Sequence, residues 1–311
     1  MTSCCTELAD LRIAVVERLR GRLDQGWHVD GRKSGDESSC VIRRDHQVGG
    51  IPRDRLDVGL KPGQLGPRGA RRIVGLVVAV DDQSDYPPTA PRTALSGFKP
   101  NVEAIAAKRP DLVVIADDST GLSGALAKLG IPTIVDDPAT TLDTAYAQIT
   151  QLGQATGHAA QAGALVASMR SAIATVVASS PRRTQPVRIY HEVDQTFYSA
   201  TSSTFIGQLY KLLGAQDIAD AADSQGSGYP QLSAEYIVKA DPAVIFLADG
   251  LCCGQTRATV SARPGWSAIS AVKYGDVVTL NDDIASRWGP RVVDLVRAIE
   301  AGLMLAPSNG P

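Results

Sequence analysis

Six stretches of this chain gather the side chains that could do chemistry: residues 81–86, 117–120, 192–201, 224–229, 249–255 and 282–291. They hold Tyr86, Asp118, Tyr198, Tyr229, Arg287 and Trp288, and Phe98 follows the first stretch closely. Aromatic residues make up only 5% of the chain, so their recurrence in these stretches is informative. Rigid aromatic walls with a few polar groups suit a bulky, partly apolar ligand. Arg287 is placed to pair with a carboxylate or an anionic chelate. Taken singly, each aromatic reads equally well as a packed loop anchor; taken together, the seven residues make a candidate ligand-binding set.

Signals for covalent chemistry are scarce. The sequence has no Gly-x-x-x-x-Gly-Lys-Ser/Thr phosphate loop and no Gly-x-Ser-x-Gly nucleophile turn. Gly226-Ser227-Gly228 is followed by Gln231 where a dinucleotide fingerprint needs glycine. His28, His46, His158 and His191 are scattered. His158 reads as a solvated residue at a helix start, and His191 as a strand-end residue able to face a cleft. A bare transition metal needs several converging His or carboxylate ligands. Only His191 with Glu192 or Asp194 offers a beginning, so no metal site and no cofactor is expected. The cysteines Cys4, Cys5, Cys40, Cys252 and Cys253 have neither a disulfide framework's pattern nor zinc spacing. They read as thiols. Adjacent cysteines can bridge only with strained geometry.

The elements that must carry these stretches follow from periodicity. Short apolar runs at 73–80, 112–116, 132–135, 187–191, 243–248 and 276–280 predict strands. Amphipathic or capped segments at 101–108, 120–129, 142–155, 158–178, 203–213, 233–239, 265–269 and 290–304 predict helices. Alternating strands and helices imply an α/β fold with parallel sheets. All six chemical stretches then lie at strand ends, where open α/β sheets bind ligands. No segment is expected to be long and apolar enough to span a membrane.

Residues 1–72 differ from the remainder. They carry 14 Lys/Arg against 10 Asp/Glu, whereas residues 73–311 carry 17 against 23. The net charge of −2 gives no reason to expect nucleic acid. One helix, Leu8 to Leu23, is predicted in this segment, with loop or disorder beyond it. The first twenty residues include Glu7, Asp10 and Glu17 and lack the apolar core of a signal peptide.

One unit of sequence grammar occurs twice. Asn101 to Ile115 runs from a cap through Glu103 and a short apolar stripe to Pro110-Asp111 and a strand. Leu232 to Leu247 repeats this with Glu235 and Asp241-Pro242. Together with Val80 to Pro87, Thr204 to Leu209, Arg263-Pro264-Gly265-Trp266 and Arg287 to Arg291, these segments resemble the substrate-binding proteins of ABC importers for iron complexes and cobalamin. The resemblance runs from about residue 73 to about residue 303.

That resemblance implies two Rossmann-like lobes joined by a long connecting helix: 73–156, 157–180 and 181–311, after an atypical 1–72 that leaves the first lobe incomplete. It implies a monomer that performs no covalent chemistry, and so not an enzyme. An iron-siderophore or cobalamin-like ligand would be held in the interlobe cleft by Tyr86, Phe98, Asp118, Tyr198, Tyr229, Arg287 and Trp288. Glu103 and Glu235 sit on the pattern of the paired glutamates that dock an ABC permease. The family works outside the cytoplasmic membrane, whereas the sequence as written, with no signal peptide recognised, would stay in the cytoplasm. The alternatives are a chelatase- or reductase-like enzyme on paired α/β lobes, or a truncated binding protein that no longer functions.

Overall fold

The computed structural model describes residues 13–18, 42–43 and 75–306. Its strands are β1 (Ile13–Arg18), β2 (Ile42–Arg43), β3 (Gly75–Val80), β4 (Pro110–Ile115), β5 (Thr133–Val135), β6 (Val187–Glu192), β7 (Ala215–Asp217), β8 (Val244–Leu247) and β9 (Val277–Thr279). Its α-helices are α1 (Val102–Ala107), α2 (Leu122–Lys128), α3 (Leu142–Ala155), α4 (Ala159–Ser179), α5 (Phe205–Leu212), α6 (Ala234–Ala240), α7 (Gly250–Cys253), α8 (Arg257–Ser261), α9 (Ser270–Tyr274), α10 (Asp282–Ala285) and α11 (Val292–Leu303). The described residues divide into an N-terminal unit, up to 138 plus 147–164, and a C-terminal unit, 139–146 plus 165–306.

The C-terminal unit has a four-stranded sheet in the order β7-β6-β8-β9, parallel throughout. From β6 the chain crosses to β7 on one side; β8 and β9 then extend the sheet on the other. The point of reversal therefore lies between β6 and β8. β8 reads Val-Ile-Phe-Leu and is buried at every position, as a strand covered on both faces must be. Tyr190, Ile237, Ile245, Leu247, Val260, Trp266 and Ile269 form its core. α5 starts hard against the preceding turn. The Thr204 hydroxyl caps it by accepting the Gly207 N–H at 3.0 Å, and a Cβ at Gly207 would collide with the Thr201 carbonyl.

In the N-terminal unit, β4 and β5 are parallel, but β1 pairs antiparallel with both β3 and β4, and β2 antiparallel with β4. The first sheet is therefore mixed, where parallel strands were expected. The helix expected over Leu8–Leu23 is corrected too, since Ile13–Arg18 is a strand. Ile13, Val15 and Val16 are β-branched, a bias that favours strands, and backbone pairing with two neighbours outweighs the helical spacing of Leu11, Val15, Leu19 and Leu23. The loop or disorder expected beyond that helix falls, apart from β2, outside the described residues. The core of this unit comprises Ala79, Leu95, Ile105, Leu112–Ile115, Leu122, Leu126 and Ile134.

The repeated grammar is a repeated structure. Asn101 caps α1, its Oδ1 accepting the Ala104 N–H at 2.7 Å, and Ser233 caps α6, its hydroxyl accepting the Tyr236 N–H at 3.1 Å. Glu103 and Glu235 are each the second residue of their helix. Each copy then places a non-glycine residue in the left-handed region just before proline, Arg109 at φ 54° and Asp241 at φ 46°. Proline disfavours the helical region for the residue before it, so both helices end on this turn. Asp241 is further held by accepting the Ser270 N–H (2.6 Å) and hydroxyl (3.0 Å).

α4 corrects another expectation. With 21 residues and Arg170 as its single charge, it is long and apolar enough to cross a membrane by length and composition alone. Its alanines carry it past that test. Arg170 pairs with Asp143 at 2.7 Å and lies 4.2 Å from the Tyr146 ring centroid, while Met169 and Ile173 are buried.

Candidate functional site

β6 and β8 stay paired to their carboxyl ends, and the strand order reverses between them, the position where such sheets form a crevice. Glu192 ends β6 and Asp249 follows β8, and both are fully buried. Arg263 reaches between the elements and donates two hydrogen bonds to the Glu192 carboxylate, at 2.5 and 2.6 Å. It donates a third to the Gln255 side-chain oxygen at 2.8 Å. The guanidinium lies 4.5 Å from the Trp266 ring centroid and 5.4 Å from that of Phe197. Arg263 thus pairs with Glu192, and Asp249 lies near them as a second buried acid. Burial, and next the Glu192 charge, push Asp249 up to about 8. Near neutrality it is mostly protonated and able to donate to Glu192. Stacked and bidentate, Arg263 makes this a packed internal ion pair, and the crevice is filled by the chain's own side chain.

His191 lies next to Glu192, but it does not face a cleft. It is 3% exposed, its Nδ1 is 2.8 Å from the Tyr210 hydroxyl, and burial lowers its pKa to about 3. Its backbone N–H donates to Asp217 at 2.8 Å, and Asp217 also accepts from Ser199 and Ala219. His158, expected to be solvated, is partly buried, with its Nδ1 3.3 Å from the Thr156 hydroxyl.

The loops beyond this layer hold four of the expected ligand residues. Tyr198 is half-buried and forms a bridge with Gln231. Tyr229 is half-buried beside Thr204, whose side chain shares a hydrogen bond with it. The Asp223 carboxylate ties its loop by accepting the N–H groups of Ser227 (2.9 Å) and Gly228 (2.7 Å). Trp288 is half-buried. Arg287, expected to meet an anion, forms an ion pair with Asp283 at 3.3 Å. Between these loops, Asp282 accepts the N–H groups of Gly250 (3.1 Å), Leu251 (2.7 Å) and Cys252 (2.8 Å), fixing α7 to α10.

In the N-terminal unit, the loop after β3 folds back on the strand. Asp82 N–H donates to Leu95 (2.8 Å), Thr93 N–H to Val80 (3.0 Å), and Gly97 N–H to the Asp82 carboxylate (2.9 Å). Tyr86 is half-buried in this loop and Phe98 is 37% exposed just past it. Asp118 is half-buried and accepts the Ser123 N–H at 2.8 Å and the Ser123 hydroxyl, which ties the start of α2. The start of α2 therefore holds this carboxylate in place. Glu103 and Glu235 are both exposed. The Glu235 N–H, and next the Ser233 hydroxyl, hold the Glu235 carboxyl below its usual range.

Sequence reasoning missed the ion-pair cluster. Arg263 was visible only as part of a motif, and Glu192 only as half of a metal pair. The usable signal was a strand ending in Tyr-His-Glu: a carboxylate at the end of a buried strand demands a cation. Among the described residues, no three His, Cys, Asp or Glu side chains converge as metal ligands.

The chain is thus an α/β protein with a parallel C-terminal sheet and one capped helix–strand unit repeated in its two halves. Residues 70–284 match the periplasmic binding protein family, and the chain belongs to it. It is 33% identical over 242 residues to a cobalamin-binding protein of Halobacterium salinarum, covering 74% of this chain and 63% of the relative. Thus it spans less than two thirds of that relative's length. A Bacillus subtilis ABC transporter substrate-binding lipoprotein is 29% identical over 232 residues, covering 72% of this chain and 71% of the relative. The crystal structure of the periplasmic vitamin B12 binding protein of Vibrio cholerae is similar with a TM-score of 0.58 at 25% identity, covering 73% of this chain and 88% of that one.

Proposed function

We propose that this protein is the substrate-binding component of an ABC importer and captures a cobalamin-like corrinoid for delivery to a membrane permease. The observation that carries the reading is its 33% identity over 242 residues to a cobalamin-binding protein. Ligand contacts are assigned to Trp288, Tyr229, Tyr198 and Arg287 in the C-terminal unit, and to Tyr86, Phe98 and Asp118 in the N-terminal unit. A corrinoid is broad, largely apolar and rimmed with amides, which suits aromatic side chains with a few polar partners. Glu103 and Glu235 are assigned to the permease, as exposed charges at matched helix starts. The protein works as a monomer, outside the cytoplasmic membrane, and turns nothing over. Titration with cyanocobalamin, followed by tryptophan fluorescence, tests the reading. Saturable quenching without chemical change in the corrinoid is expected. Saturable binding of a ferric siderophore or haem in place of cyanocobalamin would move the ligand class, and turnover of any of them would overturn the reading.

A further inference from the structure

Cys252 and Cys253 belong to neither the ion-pair cluster nor the proposed ligand contacts. They are consecutive residues of α7, directly beyond the carboxyl end of β8. Cys252 is exposed and Cys253 half-buried, and their sulfurs lie on the same side, 2.6 Å apart. α7 is four residues long, tied at its start to Asp282 and closed by Gly254 at φ 67°. The Cys253 N–H donates to the Asp249 carbonyl at 3.2 Å, and the Gln255 N–H donates to the same carbonyl at 3.2 Å. Gln255 in turn accepts from Arg263. The backbone of the pair therefore leads straight into the buried cluster.

We propose that Cys252 and Cys253 form a reversible vicinal disulfide, with small-molecule disulfides as the oxidant, and that its state is transmitted through α7 to the Asp249–Gln255 backbone. The Cys252 thiolate, being the exposed one, attacks a sulfur of a disulfide such as oxidised glutathione and expels one thiolate. The Cys253 thiolate then attacks the Cys252 sulfur, forming the internal S–S bond and expelling the second thiolate. Two cysteine thiols lose two electrons and two protons, and one glutathione disulfide becomes two glutathione thiols. Consecutive Cα atoms are about 3.8 Å apart, whereas ordinary disulfides span about 4.4–6.8 Å. Such a ring is strained and exposed, which places it among the readily reduced, responsive disulfides. Closing it also pulls the Cys253 peptide out of helical geometry, at the cost of its bond to the Asp249 carbonyl.

The full chain is incubated with oxidised glutathione, alkylated, cleaved with trypsin and weighed. Cleavage after Lys239 and Arg257 isolates both cysteines on one peptide, away from Cys4, Cys5 and Cys40. The expected peptide is unalkylated, two hydrogens lighter and free of glutathione, and it regains both alkylatable thiols after reduction. Cys253→Ser should instead trap one glutathione on Cys252. A wild-type peptide that keeps two alkylatable thiols, carries glutathione on each cysteine, or links to a second chain overturns the proposal. Amide exchange at Cys253 and Gln255 should quicken on oxidation, and unchanged exchange overturns the transmission.

Discussion

Replacing Arg263 with methionine removes the cation from a fully buried carboxylate while keeping an apolar side chain over Trp266. The Glu192 carboxylate receives two charge-assisted hydrogen bonds from Arg263, at 2.5 and 2.6 Å. Such bonds are each worth about 1.5–3 kcal/mol net. Stripping one partner from a buried pair typically costs about 3–5 kcal/mol, because the remaining charge is stranded. Methionine restores part of the contact with Trp266 but none of the cation–π attraction, about 0.5–2 kcal/mol. The expected loss for Arg263→Met is about 4 kcal/mol. With a urea m-value of about 2 kcal/mol/M, the unfolding midpoint of the C-terminal unit should fall by about 2 M. Glu192→Gln in the same chain should recover a large part of that loss, since the stranded charge is its source. A double-mutant cycle by urea denaturation, followed by Trp266 fluorescence, reads both numbers. A loss under about 1 kcal/mol for Arg263→Met, or strict additivity of the two changes, would refute the buried ion pair as a stabilising unit.

Asp136 makes stability pH-dependent in the N-terminal unit: burial and the Asp137 charge raise its pKa from 3.8 to about 7. The folded state holds this proton more tightly than the unfolded state, so stability is lost as pH rises from about 4 through 7, by about 4 kcal/mol in all. Asp136→Asn should leave stability unchanged at pH 4 and raise it by a few kcal/mol at pH 8, and equal effects in denaturation at both pH values would rule this out. Trp288→Ala should weaken cyanocobalamin binding by about 1–3 kcal/mol if Trp288 anchors the ligand; an unchanged fluorescence titration would remove it from the site. Glu103→Ala and Glu235→Ala should preserve ligand affinity and impair permease binding, more so at low salt. Loss of ligand binding in either variant would move that glutamate from docking to the ligand site.

Much of the fold was legible where one principle governed a segment. The strand from Val244 to Leu247 is a continuous apolar run, and the one from Val187 to Glu192 is buried at every position but Arg188; each appears within a residue or two of its expected bounds. Ala215–Asp217 was missed because three residues, two of them polar, carry no apolar period. The short helices α7 to α10 were missed for the same reason: four or five residues complete barely one turn, and caps such as Thr256 and Asn281 decide them. Ile13–Arg18 went the other way because its partners, β3 and β4, are 57 or more residues distant in the chain. The candidate site divides similarly. Loop aromatics stand out by rarity, whereas Glu192, Asp249 and Arg263 become one group only when folding brings residues 192, 249 and 263 together.

Filling the crevice from within has a consequence for how this scaffold changes over evolutionary time. In many open α/β proteins the ligand itself occupies the reversal point, so a new ligand there means rebuilding residues that also hold the sheet together. Here Arg263 pairs with Glu192 at that position, and the half-buried loop aromatics Tyr229 and Trp288 sit on loops 224–229 and 282–291. Those loops are braced by their own carboxylates, Asp223 within its loop and Asp282 against α7. The side chains of Tyr229 and Trp288 belong to neither brace nor to the Arg263–Glu192 pair, so substitutions there leave those bonds in place. The side chains on these loops are free to drift while the scaffold beneath stays the same.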